Sequence, residues 1–178
     1  IVRPTAFFKS LSGQLERVRK GKPFLVFGDG TLTACKPIAE QDVAEFICRT
    51  LESDEHQGVK VIGGPGAAIT PLQQAELLGQ CLGKPVKIRR LPAAVPKYIA
   101  SLFSVPGRFS DRWRDRSEYA RIAHYYATES MLVWDEEAQR YDADATPNFG
   151  TLTLEQSYRS QLAGTDRQDI GDHALFDR

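Results

Sequence analysis

A tyrosine can pass a proton near neutral pH when a lysine four residues on lowers its pKa electrostatically. The residues four beyond Tyr98, Tyr119, Tyr125, Tyr126, Tyr141 and Tyr158 are Leu102, Ala123, Glu129, Ser130, Ala145 and Leu162, so the chain holds no such pair. Chemistry based on metals fares no better. Cys35, Cys48 and Cys81 are far apart, as are His56, His124 and His173, and no metal site is expected from them. The odd, dispersed cysteines read as reduced thiols of an intracellular protein.

Four further groups could bind a ligand. Gly63-Gly64-Pro65-Gly66 precedes a helix, but the spacing is not that of a dinucleotide fingerprint. Pro65 also removes one of the amides a phosphate would need, so a plain strand-to-helix turn is expected. Asp29 between Gly28 and Gly30 is expected to cap its own backbone. The run Arg108, Asp111, Arg112, Arg114, Asp115, Arg116 and Glu118 reads first as a solvated, self-paired helix face. Its interleaved Phe109 and Trp113 would alternatively suit a lid over a flat apolar ligand, with an arginine of the run reaching a carboxylate. Tyr125 and Tyr126 could line a pocket, although aromatics on a helix are more often core.

The elements that must position these groups alternate. Residues 1–4 read as the end of a buried strand closed by Pro4, and Phe8, Leu11, Leu15 and Val18 follow at helical spacing. Phe24 to Phe27 is a short strand and 35–38 a second extended piece. A helix is expected over 40–51, resting on Val43, Ala44, Ile47 and Leu51, with Asp42 and Glu45 turned outward. Strand 59–62 leads to a helix that starts at Thr70 with Gln73 in a capping box and stops at Gly83. Residues 86–91 complete the alternation, which defines an α/β fold. Beyond, helices are expected over 92–102 and 118–129, separated by a break at 105–107. Residues 131–134 then lead through a polar loop to a last helix capped by Thr153 and Gln156.

Net charge is zero, 23 basic against 23 acidic residues, which gives no support for nucleic-acid binding. No apolar run is long enough to span a membrane. The chain opens on a strand end without an initiator Met and reads as the C-terminal portion of a longer protein.

Several segments together resemble one family. They are Ile1-Val2-Arg3-Pro4-Thr5-Ala6-Phe7-Phe8-Lys9-Ser10-Leu11, Phe27-Gly28-Asp29-Gly30, Cys35-Lys36-Pro37-Ile38, Asp42-Val43-Ala44 and Ile62-Gly63-Gly64-Pro65-Gly66. The more particular ones are Glu129-Ser130-Met131-Leu132-Val133-Trp134-Asp135 and Tyr141-Asp142-Ala143-Asp144-Ala145-Thr146-Pro147. The chain resembles the divinyl chlorophyllide a 8-vinyl-reductase family, atypical short-chain dehydrogenases of the NmrA-like group. The resemblance implies the substrate-side part of a Rossmann-like fold, without its nucleotide-binding N-terminal half. Expected divisions are 1–103 for the second half of the dinucleotide-binding-like domain, 104–163 for a substrate-side region, and 164–178 for a polar tail.

The resemblance further implies an NADPH-dependent oxidoreductase of chlorophyll biosynthesis that reduces the 8-vinyl group of divinyl chlorophyllide or protochlorophyllide. This chain alone is expected to be inactive. Pro4, Thr5, Ala6 and Phe7 would lie beside the nicotinamide, with backbone groups against its carboxamide, and Phe7, Phe8 and Lys9 would face the substrate. Lys9 or Arg112 would meet the propionate of the pigment, with Trp113 and Tyr125 against its ring. The setting would be the chloroplast in a photosynthetic eukaryote or the cytoplasm in a bacterium, with peripheral association with plastid membranes left open. Two other readings remain: a dinucleotide-binding redox sensor without turnover, and a reductase of another large apolar substrate.

Overall fold

The computed structural model describes residues 1–52, 58–104 and 110–164, without the side chains of Ser104 and Arg112. The expected break at 105–107, Arg108 and Phe109, the tail beyond Gly164, and His56 and His173 lie outside these residues. In chain order the elements are β1 (Val2–Pro4), α1 (Phe8–Arg19), β2 (Phe24–Phe27), α2 (Glu40–Glu52), β3 (Lys60–Ile62) and α3 (Pro71–Leu82). They continue with β4 (Ile88–Leu91), α4 (Val95–Ser104), α5 (Asp111–Thr128), β5 (Val133–Asp135), β6 (Arg140–Asp142) and α6 (Leu154–Ala163).

β1 pairs in parallel with β3, Val2 opposite Lys60 and Pro4 opposite Ile62. β2 pairs in parallel with β4, Phe24 opposite Ile88 and Phe27 opposite Leu91. Parallel neighbours need a long crossover, and the helices between them supply it. The expected extended piece at 35–38 forms no continuous strand. It makes single bridges instead, Cys35 to Ile69 and Ile38 to Phe7, which tie it across the ends of β1 and the entry to α3.

The main core joins Phe8, Leu15, Phe24, Val26, Ala39, Ala75, Leu78, Leu154 and Tyr158. Full burial of side chains of this size stabilises by roughly 1.5–3 kcal/mol each, so this cluster holds α1, α3 and α6 to β2. Tyr158 is wholly buried, and its hydroxyl accepts a 2.7 Å hydrogen bond from Gln74 Nε2, which meets the need of a polar atom in the core. Both expected capping boxes are present, Thr70 with Gln73 and Thr153 with Gln156. Gly83 and Gly164 end their helices in the left-handed conformation that glycine adopts without a Cβ penalty.

Three expectations needed correction. α2 buries Val43 and Phe46, whereas Ile47 is 43% and Leu51 83% exposed and Ala44 is exposed too. The face is turned because Phe46 packs edge-on against Phe149, with ring centroids 5.1 Å apart. That rotation brings the Asp42 carboxylate in towards Gly150, its Oδ2 buried, rather than out to solvent. α5 starts at Asp111, not 118, since the charges pair along its surface: Arg114 with Asp111 at 2.8 Å and Arg121 with Glu118 at 3.0 Å. Finally, residues 133–142 form an antiparallel hairpin that the polar-loop reading missed. The Asp135 carboxylate accepts from the amides of Glu137 and Ala138 and so shapes its turn.

Candidate functional site

In open α/β folds ligands sit beyond the carboxyl ends of the parallel strands. Here that place is the end of β1 and β3, where Pro4 to Phe7 meet the glycine run and the loop after β6. Thr5 and Ala6 are buried, and Pro4 and Phe7 are half-buried. The Thr5 amide donates to Ile62 O at 2.9 Å, the Ile38 amide to Ala6 O at 2.9 Å, and the Phe8 amide to Ile38 O at 3.1 Å. The Thr5 hydroxyl donates to the carbonyl of Lys36. So of the four residues expected beside a nicotinamide, only Pro4 and Phe7 retain side-chain surface for a ligand.

The glycine run is committed to the fold. The Gly63 amide donates to Pro147 O at 2.8 Å and the Gly64 amide to Lys36 O at 3.1 Å. Amides already bound to carbonyls do not cradle a phosphate, so the strand-to-helix turn is what the sequence provides. Asp29 behaves as expected too. Its Oδ1 accepts from the Thr31 amide at 2.8 Å, and this hydrogen bond, with others from Thr31, holds its carboxyl below the usual carboxylate range.

Lys36 organises the loop above this turn. It is 7% exposed; its Nζ donates to Thr146 O and to Asn148 Oδ1, both at 2.8 Å. The Thr146 hydroxyl accepts from the Val133 amide at 2.9 Å and donates to Asp142 O at 2.7 Å. Phe149 N then donates to Gly63 O at 2.8 Å. The two most particular segments of the sequence, the hairpin and the Tyr141-to-Pro147 stretch, are thus fastened to the strand ends through one buried cation. No functional role was expected of Lys36. The signal was available, as a lone charge in the otherwise uncharged stretch 30–39 has to be buried with partners or left out of the core.

Beside the loop lies an aromatic wall. Trp134 meets Tyr141 edge-on at 5.0 Å, and Tyr125 meets Tyr126 at 5.8 Å. Trp134, Tyr125 and Tyr126 remain 41%, 49% and 52% exposed, so their rings are available to a ligand. The Tyr141 hydroxyl donates to Glu129 Oε2 at 2.6 Å. That hydrogen bond, with burial and the charge of Glu129 behind it, pushes the Tyr141 phenol up to about 12. Folding therefore favours the protonated phenol. Its contribution to stability is complete below the ordinary tyrosine pKa of ~10 and is lost as pH rises through about 12. In an absorbance titration of Glu129→Gln, one tyrosine should ionise earlier than in the parent chain; an unchanged curve would remove the pairing.

The remaining expected residues are dispersed. Phe8 is 1% exposed within the main core, so it packs the fold and presents no surface to a substrate; as the first helical residue of α1 it is turned inward by the apolar stripe it begins. Lys9, next to it, is half-buried. Trp113 packs on Phe103 of α4 at 5.1 Å with the Arg116 guanidinium 4.9 Å above its ring, an anchored position rather than that of a free lid. It lies twelve residues before Tyr125 on one helix, about 18 Å away along the axis. The Arg112 side chain is outside the described set.

The architecture is that of a partial Rossmann-type α/β fold, a fold shared with nucleotide-sugar epimerases of known structure. A UDP-glucuronic acid 4-epimerase mutant from Bacillus cereus, in complex with a fluorinated UDP-sugar and NAD, superposes with a TM-score of 0.55 at 16% identity, over 92% of this chain and 43% of that chain. A nucleoside-diphosphate-sugar epimerase from Staphylococcus aureus gives 0.52 at 15% identity, over 89% and 50%. No family model matches the sequence.

In sequence the chain is a relative of the divinyl chlorophyllide a 8-vinyl-reductases and corresponds to a partial region of them. It is 46% identical over 178 residues to the chloroplastic enzyme of Cucumis sativus, covering 99% of this chain and 42% of that protein. Against the counterpart named for Arabidopsis thaliana it is 42% identical over 174 residues, covering 97% and 42%. The chain therefore spans less than half the length of the curated relatives it matches.

Proposed function

We propose that this chain is the C-terminal, substrate-facing part of a reductase that converts the 8-vinyl group of divinyl chlorophyllide to ethyl in the chloroplast. The observation that carries the reading is sequence identity of 40–46% over nearly the whole chain to proteins of that name. The site is consistent with it. A wide conjugated ring needs apolar faces to lie against, and Tyr125, Tyr126 and Trp134 present them around the polar Glu129–Tyr141 pair. Lys9, Arg112 and Trp113 remain proposals for contacts at the periphery of the pigment, Lys9 and Arg112 towards its propionate.

NADPH would supply the hydride for such a reduction. The glycine run does not fit the pyrophosphate of a dinucleotide, because the amides of Gly63 and Gly64 are spent within the fold and Pro65 has none. In this reading the phosphates are held by the remainder of the longer protein, and only the surface at Pro4 and Phe7 borders the nicotinamide. The test uses the full-length protein with NADPH and divinyl chlorophyllide a, following the Soret band of the pigment. A shift to the monovinyl position that requires NADPH is expected, and Trp134→Ala should raise KM about tenfold, the scale of one lost aromatic contact. Pigment bound without a shift would reject the reductase; NADPH bound without pigment would favour a sensor.

A further inference from the structure

The Glu129–Tyr141 pair is built on fixed backbone. Glu129 closes α5, its amide donating to Tyr125 O at 2.8 Å. The two residues after it are tied to the loop beyond β2. The Ser130 hydroxyl accepts from the Ala34 amide at 2.9 Å, and the Met131 amide donates to Ala34 O at 3.1 Å. Tyr141 stands on β6 directly opposite Trp134 of β5. Helix end, loop and hairpin thus set where the carboxylate and the phenol meet.

What the pair can do depends on who holds the proton. Tyr141 has one O–H and donates it to Glu129 Oε2 at 2.6 Å. Losing that proton would set a phenolate against a carboxylate, so the phenol keeps it. Such a group is a poor proton donor to a substrate carbon. Its oxygen lone pairs, by contrast, are left to accept. Among the described residues no donor is bonded to that oxygen. Donation to a carboxylate also makes a ligand atom more basic, as in the carboxylate–histidine pairs of metal sites. The pair suits an electron-poor centre.

The pigment of the proposed reaction carries one, and the inference rests on that reading. Its magnesium ion is a hard cation that prefers oxygen donors, and the ring nitrogens leave an axial position open. We propose that the Tyr141 oxygen, backed by Glu129, is the axial ligand of the pigment's magnesium, with the macrocycle lying against Trp134 and Tyr125. Trp134 meets Tyr141 at 5.0 Å, and Tyr125 is near enough to act on the Tyr141 phenol through its charge, so these groups form one cluster. The angles agree. A ligating phenol stands end-on to the macrocycle, which puts the two ring planes nearly at right angles. The Trp134 ring, inclined 74° to that of Tyr141, is free to lie along the macrocycle.

The test compares divinyl chlorophyllide a with its magnesium-free counterpart, divinyl pheophorbide a. Each is titrated into the full-length protein without NADPH and followed by pigment absorbance. The parent protein should bind the magnesium pigment about tenfold more tightly, the lower end of what support of a metal ligand contributes. Tyr141→Phe keeps the ring against Trp134 and should bring the two affinities together by weakening the magnesium pigment alone. Glu129→Gln should lose part of the preference, because an amide oxygen still accepts the phenol proton but carries no charge. Circular dichroism verifies that both variants fold. Equal affinities in the parent, an undiminished preference in Tyr141→Phe, or equal weakening of both pigments would overturn the proposal. The reductase reading is judged separately, by NADPH-dependent reduction of the vinyl group. Turnover with equal affinities removes only the ligand, magnesium preference without turnover removes only the reductase, and binding of neither pigment removes both.

Discussion

Replacing Gly64 with alanine is expected to destabilise the protein by about 4 kcal/mol, at the upper end of what one added methyl does. The reason is backbone, not side chain. A Cβ at Gly64 would overlap the carbonyl oxygen of Pro37, lying 2.8 Å from its carbon and 3.0 Å from Ile38 Cα. Neither neighbour can turn away, since the Ile38 amide is bonded to Ala6 O and the Gly64 amide to Lys36 O. The segment 36–38 would have to lift off β3, breaking the Thr5 hydroxyl bond to Lys36 O on its other side. Gly66 provides the comparison. It has φ +98° but open space around a Cβ, so alanine there should cost only the left-handed strain, about 1 kcal/mol. Urea denaturation of both variants tests the argument, which fails if Gly64→Ala is no less stable than Gly66→Ala.

That contrast shows what could be read in advance. The alternation of β1, α1, β2 and α3 was legible because these elements are short, local and marked by punctuation of their own: Pro4, the Thr70 capping box, Gly83. Asp29 was legible for the same reason, since a turn acid bonds to an amide two residues on. The glycine run was recognised as a turn, but not as a close crossing, because the partner at Pro37 is distant in sequence. α2 was misread by one step around its axis. Its stripe of Val43, Ala44, Ile47 and Leu51 is as apolar as the face actually used, and only the position of Phe149, far along the chain, decides between them. Lys36, Thr146 and Glu129 were missed as site residues because their partners are supplied by the tertiary fold. The resemblance to a family found the segments that matter; it did not say how they were joined.

How they are joined is testable at Lys36. Lys36→Met keeps the length and apolar stem of the side chain and removes the ammonium, and is expected to cost about 2 kcal/mol. Two charge-assisted hydrogen bonds disappear, at about 1.5–3 kcal/mol each before other terms. Asn148 is exposed and regains water, whereas Thr146 is 1% exposed and its carbonyl is left without a donor. Against this, methionine no longer has to bury a charge, which offsets part of the loss and keeps the net effect moderate. The stem itself lies across Gly63, where any side chain would meet Lys36 Cβ and Cδ. The more specific consequence is local. Without the ammonium, nothing draws 146–148 down onto the strand end, and the paired bonds Gly63 N to Pro147 O and Phe149 N to Gly63 O should open more often. Hydrogen exchange at the Gly63 and Phe149 amides should therefore accelerate by more than the global destabilisation predicts. If those two amides slow or keep pace with the core, Lys36 is ordinary packing, and the loop is held by its backbone pairing alone.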